Sequence, residues 1–272
     1  MAKDASIERK KLKDAKRIVI KIGTSSLVYE NGSANLRRIG VLVRVICDLV
    51  NREKEVVLVT SGAIGIGKSV LNLEKRPSTV EEKQAVAAVG QSVLMHIYNQ
   101  LFSEYGHTAA QLLLTRDVTE DPASKVHVEH TFEKLLSMGI VPIVNENDSV
   151  AVEEIKFGDN DNLSYVVAGL VKAELLIILT DTDGYYDKNP SKPGAELYHN
   201  ITDLSEEIER AAGASESGKG TGGMLTKVHA CRLAADEGIN AVICNGEDPE
   251  VIFKVIDGDE VGTMFVKKNI AG

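Results

Sequence analysis

The sequence predicts an α/β fold, with a mainly parallel sheet covered by helices on both faces. Three observations carry this. Six short apolar runs alternate with longer stretches whose apolar residues recur at helical spacing. Several of the runs are unbroken Val, Ile and Leu, the pattern of strands buried on both faces. Four of them finish in small, polar or acidic residues, and in open parallel sheets ligands bind beyond the carboxyl ends of the strands.

In chain order, residues Lys10 to Arg17 mix basic and acidic side chains and read as a solvated leader helix, with residues 1–15 as a charged leader. Ile18–Ile22 is the first strand. Asn35–Arg52 follows as an amphipathic helix, because Leu36, Ile39, Leu42, Val43, Ile46 and Leu49 fall on one face. Val56–Thr60 is the second strand. Thr79–Tyr105 is a longer helical region, with a break expected near Gly90. Ala109–Leu114, Val141–Asn145, Leu175–Thr180 and Ala241–Cys244 are the remaining strands, and Ser164–Lys172 and Met224–Glu237 the remaining helices. No Pro/Gly/Ser linker or internal repeat divides the chain, so residues 1–272 read as a single domain.

Composition narrows the function. With 43% hydrophobic and 26% charged residues the chain is an ordinary globular protein, and with no Trp and 4% aromatics its core is largely aliphatic. A net charge of −9 argues against a nucleic-acid surface. No apolar run reaches membrane-spanning length and the amino terminus is polar, so neither membrane nor secretion is expected. Cys47, Cys231 and Cys244 lie far apart in apolar surroundings and read as buried free thiols of a reducing, cytoplasmic compartment.

The strongest local feature is GKGTGGMLTK at 218–227. Its glycines let backbone N–H groups turn toward an anion, the helix start that follows adds partial positive charge, and Lys227 stands one turn further on. A flexible surface loop is the plainer reading. Two better-known phosphate motifs are excluded. Gly213 to Lys219 nearly spells a P-loop, but Gly220 stands where Ser or Thr is needed, and no G-x-G-x-x-G follows a strand. Lys21, inside the apolar run of KRIVIKIGTSS, is costly to bury unless it meets an anion; otherwise it is an edge residue reaching for water. Together Lys21 and Lys227 could neutralise a transferring phosphoryl group from two sides. The cluster from Gly158 to Asn162 lacks the calcium-loop pattern. It is either a polar turn capping a helix or a set of amides and carboxylates that orients substrate and lysines.

The motifs IVIKIGTSSL, VTSGAIGIG, AAVGQS, QLLLTR, IVNENDSV, IKFGDNDNLS, LTDTDGYY, GTGGMLTK and VGTMF occur in the order found in the glutamate 5-kinases of the amino-acid kinase family. The resemblance covers about residues 16–266. It implies an αβα sandwich around a largely parallel eight-stranded sheet. It also implies phosphorylation of the L-glutamate γ-carboxylate by ATP with Mg²⁺, the first step of proline biosynthesis. Matched position by position, Lys21 corresponds to the family's first-strand ATP-binding lysine. Thr180 and Asp181, with Gly220, Thr221, Gly222, Gly223, Met224, Leu225, Thr226 and Lys227, correspond to its nucleotide-binding segments. Ser61, Asp148 and Asn160 correspond to its glutamate-binding positions, and Asp161 resembles the aspartate that organises two catalytic lysines in related kinases.

The chemistry of these residues suits that assignment. Asp148 and the amide oxygens of Asn145 or Asn160 suit an α-ammonium, while Ser61 and the N–H groups of Gly62 and Ala63 suit a carboxylate. No protein metal ligand is assigned, since Mg²⁺ is expected on the nucleotide phosphates. The resemblance further implies a homo-oligomer, dimer or tetramer, and feedback inhibition by proline. Many members of the group carry a C-terminal PUA domain, and none is expected here. Rival readings are kinases of the same fold acting on acetylglutamate, aspartate, carbamate or a nucleotide, and a non-catalytic nucleotide-binding or storage protein. The NENDS and GDNDN segments favour glutamate, and the joint presence of Lys21, Asp161 and Lys227 favours an enzyme.

Overall fold

The computed structural model describes residues 2–115, 121–150, 160–206, 208, 209, 212 and 223–268. Its strands are β1 (Arg17–Ile22), β2 (Glu55–Val59), β3 (Ala109–Leu114), β4 (Val141–Glu146), β5 (Leu175–Thr180), β6 (Asn200–Ile201), β7 (Asn240–Asn245) and β8 (Thr263–Phe265). They form one eight-stranded sheet in the order β3-β4-β2-β1-β5-β7-β8-β6. Every pairing is parallel except β7 with β8. All six strands expected from the sequence form, with ends shifted by at most one residue. The two short strands β6 and β8, not expected, extend the sheet at one edge.

Among the described residues the α-helices are α1 (Ala2–Lys11), α2 (Thr24–Leu27), α3 (Leu36–Asn51), α4 (Ala63–Val70), α5 (Val80–Glu104), α6 (Pro122–Ser137), α7 (Asn160–Leu170), α8 (Met224–Asp236) and α9 (Val251–Asp257). Their starts follow local chemistry. The Asn35 side chain accepts the Arg38 N–H at α3, and Thr79 and Glu82 form a reciprocal capping box at α5. At α6, Asp121 caps the Ser124 N–H with Pro122 next to it.

Strand alternation splits the core in two. Ile18, Ile20 and Ile22 of β1 join α3, α5 and α9 on one face. Val19 of β1, with Val57 and Val59 of β2, joins α6, α7 and α8 on the other. Lys21 shares the parity of Val19, so it points into the α7–α8 layer from the middle of the sheet.

Two expectations need correction. No break occurs near Gly90, since α5 runs unbroken through it. Gly90 is instead where α5 touches α4: a Cβ there would lie 1.8 Å from the Ala63 carbonyl oxygen. The leader is not simply a solvated helix. Lys10, Lys11 and Lys13 are exposed, but the helix lies mostly earlier, and Ala5, Arg9 and Leu12 are buried. Arg9 donates from Nε to Asn200 Oδ1 (2.8 Å) and from its terminal nitrogens to the carbonyls of His199, Asp259, Val261 and Gly262. The charge is buried because it meets acceptors that β6 and the turn before β8 leave open.

Candidate active site

Lys21 lies in a central strand, between Val59 of β2 and Ile178 of β5, and is 5% exposed. An edge residue reaching for water is therefore excluded. Its Nζ lies 2.5 Å from Asp161 Oδ1. Lys227, in the first turn of α8, places Nζ 3.0 Å from Asp161 Oδ2. Asp161 sits in the first turn of α7 and is fully buried. One carboxylate thus spans two ammonium groups, leaving the buried cluster with one net positive charge when all three are ionised. Burial alone would push the Asp161 carboxyl up, but Lys21 and Lys227 outweigh it and hold it below the usual carboxylate range. Thr226 Oγ1 lies 2.9 Å from both Asp161 Oδ2 and the Gly223 carbonyl oxygen, which ties the start of α8 to the cluster.

Beside this charged cluster lies a neutral one. Asn160 Nδ2 stands within donor distance of the Thr60 carbonyl (2.6 Å), Ser61 Oγ (2.8 Å) and Asn145 Oδ1 (2.8 Å). Ser61 Oγ accepts there, so its own hydroxyl hydrogen is left to donate elsewhere. Gly62 takes φ +97° to turn the chain from β2 into α4, which brings Ser61 and the Ala63 N–H to the carboxyl end of the sheet. Asp148 lies half-buried in the turn after β4.

The remaining expected residues flank these two clusters. Thr180 closes β5, and its hydroxyl donates to Asp181 Oδ1 at 3.1 Å. Gly223 is the N-cap of α8, Met224 is half-buried and Leu225 is exposed. Gly220, Thr221 and Gly222 lie outside the described residues.

Three residues that buttress this site were missed as site residues in the sequence, two of them given no role and Gly90 expected only as a helix break. Gln91 Oε1 accepts from Asn145 Nδ2 at 2.8 Å. Tyr98 OH pairs with Thr60 Oγ1 at 2.9 Å, and burial drives the Tyr98 phenol well above its ordinary value. Gly90 admits the α4 backbone. Gly90 and Gln91 belong to the AAVGQS motif, a Gly-Gln pair inside a long helix, which was the available signal.

A profile of the amino acid kinase family matches residues 16–245. The chain belongs to that family. Glutamate 5-kinase of Clostridium perfringens is 54% identical over 265 residues, covering 96% of this chain and 98% of that one. Glutamate 5-kinase of Listeria innocua is 52% identical over 265 residues, covering 96% of each. Among solved structures, carbamate kinase from Giardia lamblia bound to AMP-PNP superposes with a TM-score of 0.66 at 16% identity, covering 94% of this chain and 100% of that one. UMP kinase from Bacillus anthracis gives 0.63 at 16% identity, covering 93% and 97%. These distant likenesses establish the fold, the eight-stranded, mostly parallel sheet described above.

Proposed function

We infer that this chain transfers the γ-phosphoryl group of ATP to the γ-carboxylate of L-glutamate, giving ADP and L-glutamyl 5-phosphate, the first step of proline biosynthesis. Relatives above 50% identity along nearly the whole chain carry that name. One structural observation supports the chemistry most directly: consecutive residues at the start of α7 serve both halves of the site. Asn160 reaches the amides and hydroxyl at the ends of β2 and β4, while Asp161 reaches the two lysines. Successive helical side chains diverge by about 100°. A substrate held by Asn160 and a phosphoryl group held by the lysines therefore meet at one helix end.

Lys21 and Lys227 fit the charge of a nucleotide's phosphates, because they are buried cations sharing one counter-ion. When bound, ATP supplies the electrophilic phosphorus. A glutamate γ-carboxylate oxygen forms the new bond to it, the bond to the bridging oxygen breaks, and ADP keeps that electron pair. The carboxylate is already ionised at neutral pH, so no enzyme base is needed. Lys21 and Lys227 compensate charge on the moving phosphoryl group and Asp161 keeps them apart and aimed. Ser61 and the Ala63 N–H offer donors to a substrate carboxylate, and Asp148 and the Asn160 amide oxygen suit its ammonium, while Asn145 Oδ1 is already taken by Asn160 and the Glu146 N–H. Mg²⁺ would travel on the phosphate oxygens, the ligands a hard cation prefers.

We further propose that proline competes at this site, since it shares the ammonium and α-carboxylate of glutamate but offers no γ-carboxylate. A homo-oligomer, dimer or tetramer, and a cytoplasmic location are part of the same reading. Its three cysteines are free and buried, and among the described residues no helix is long and apolar enough to cross a membrane.

The test is trapping. With glutamate, MgATP and hydroxylamine the protein should form γ-glutamyl hydroxamate, with far less product from N-acetylglutamate or aspartate. Equal or faster turnover of N-acetylglutamate would overturn the substrate assignment.

A further inference from the structure

Gln91 is 8% exposed, in the middle of α5, a helix whose other buried residues include Val86, Ala87, Leu94, Met95 and Tyr98. A leucine or methionine would fill the same space. An amide there must find partners at both ends or bear a desolvation cost. Only one end is satisfied: Oε1 accepts from Asn145 Nδ2, while Nε2 is buried with no hydrogen-bond partner. Packing alone does not call for such a residue. What it touches does.

The amides in this chain of contacts are oriented by two backbone groups whose roles are fixed. The Glu146 N–H can only donate, and it meets Asn145 Oδ1 at 3.0 Å. The Thr60 carbonyl can only accept, and it meets Asn160 Nδ2 at 2.6 Å. Asn145 therefore presents its oxygen to Asn160 and its NH₂ group to Gln91, which must answer with oxygen. Reversing Gln91 would set two donors face to face. Without an acceptor at position 91, the Asn145 NH₂ is left buried and unpaired, and the preference for this orientation weakens. Gly90 fixes where the acceptor stands, because α5 and α4 are in backbone contact one residue earlier.

We propose that Gln91 is a positioning residue for the amino-acid substrate, acting by holding the Asn145 amide, and through it Asn160 and Ser61, in the orientation that receives glutamate. This rests on the glutamate-kinase reading, and the experiment separates the two. Gln91→Met keeps volume and flexibility but removes the acceptor. In the full-length protein it should raise glutamate KM about 10- to 100-fold, the effect of one buried polar partner lost. It should leave ATP KM within about 2-fold and lower kcat much less than it raises KM. In an Asn145→Ala background the same substitution should add little, because its route to the substrate is already gone.

An unchanged glutamate KM in folded Gln91→Met protein, a matching rise in ATP KM, or effects of the two substitutions that simply multiply would each overturn the proposal. If Gln91→Met does not fold, Gln91→Asn must give the same selective loss, because it keeps an amide but withdraws it by one methylene. Wild-type turnover is the control for the activity itself. If the wild type prefers a different amino-acid carboxylate, the same cycle run with that substrate must show the same coupling between positions 91 and 145.

Discussion

Replacing Asp161 by Asn keeps the shape of the side chain and removes its charge. The amide oxygen can still accept from one lysine, but its NH₂ group faces the other, where Lys21 and Lys227 now stand at 2.5 Å and 3.0 Å from the carboxylate oxygens. Breaking a buried pair in this way leaves an uncompensated charge and costs about 3–5 kcal/mol. At about 2.1 cal/mol/K of unfolding entropy per residue, a chain of 272 residues turns that into a melting temperature lower by about 5–9 °C. Nucleotide phosphates supply negative charge to the same two lysines. The stabilisation conferred by saturating ATP should therefore be larger in the variant than in the wild type. Turnover should fall by about two orders of magnitude or more, since two phosphoryl-facing cations lose their alignment. Scanning fluorimetry with and without ATP, beside hydroxamate kinetics, reads all three quantities. The pH dependence follows from the sign of the shift. Asp161 titrates lower in the folded protein than in the unfolded chain, where aspartate titrates near pH 3.9. Its contribution is present above that unfolded value and is lost as pH falls through the lower, folded one. Acid unfolding of the wild type should therefore steepen below about pH 4, and Asp161→Asn should flatten that part of the curve. Wild-type melting and turnover in the variant would refute the reasoning.

Further outcomes follow from other contacts. Ser61→Ala and Asn160→Ala should raise glutamate KM by about tenfold or more while leaving nucleotide binding measured by calorimetry intact; loss of nucleotide binding in folded protein would contradict that division. Gly90→Ala should destabilise by about 3 kcal/mol, the upper end of overpacking costs, because its Cβ would lie 1.8 Å from the Ala63 oxygen, whereas Gly40→Ala in α3, with nothing within 4 Å, should stabilise by about 1 kcal/mol in urea titrations. Arg9→Ala should cost about 2–4 kcal/mol without altering kcat, as measured by denaturant unfolding beside initial rates.

The long buried strands were legible in the sequence because each carries an unbroken aliphatic run. β6 and β8 were not, since two or three residues hold no periodicity to recognise. α6 escaped for a related reason: only Phe132 and Leu136 are buried along its 16 residues. In the site, Lys21 and Lys227 stood out as charges set among apolar or glycine-rich neighbours, and Asp161 through the family motif around the polar cluster Gly158 to Asn162. Gln91 and Tyr98 did not, because a polar residue in a long helix looks the same whether it faces water or a buried amide. Arg9 misled for the opposite reason. Its neighbours Lys10, Lys11 and Lys13 are exposed, and only the carbonyls far along the chain reveal why it is not.

Those carbonyls belong to residues 199 to 262, separated from Arg9 by 190 to 253 positions in the chain. A polypeptide emerging from the ribosome amino end first presents Arg9 of α1 at least 190 residues before any of these acceptors. Until residues 199 to 262 are made the guanidinium has only water to bind, and the contacts that bury it cannot form before then. Such distant pairings slow folding, because the intervening chain must already be confined before they add stability. The edge that α1 clamps, β6 with β8, should thus be the last part of the sheet to gain protection from hydrogen exchange during refolding, and the first to lose it when Arg9 is removed.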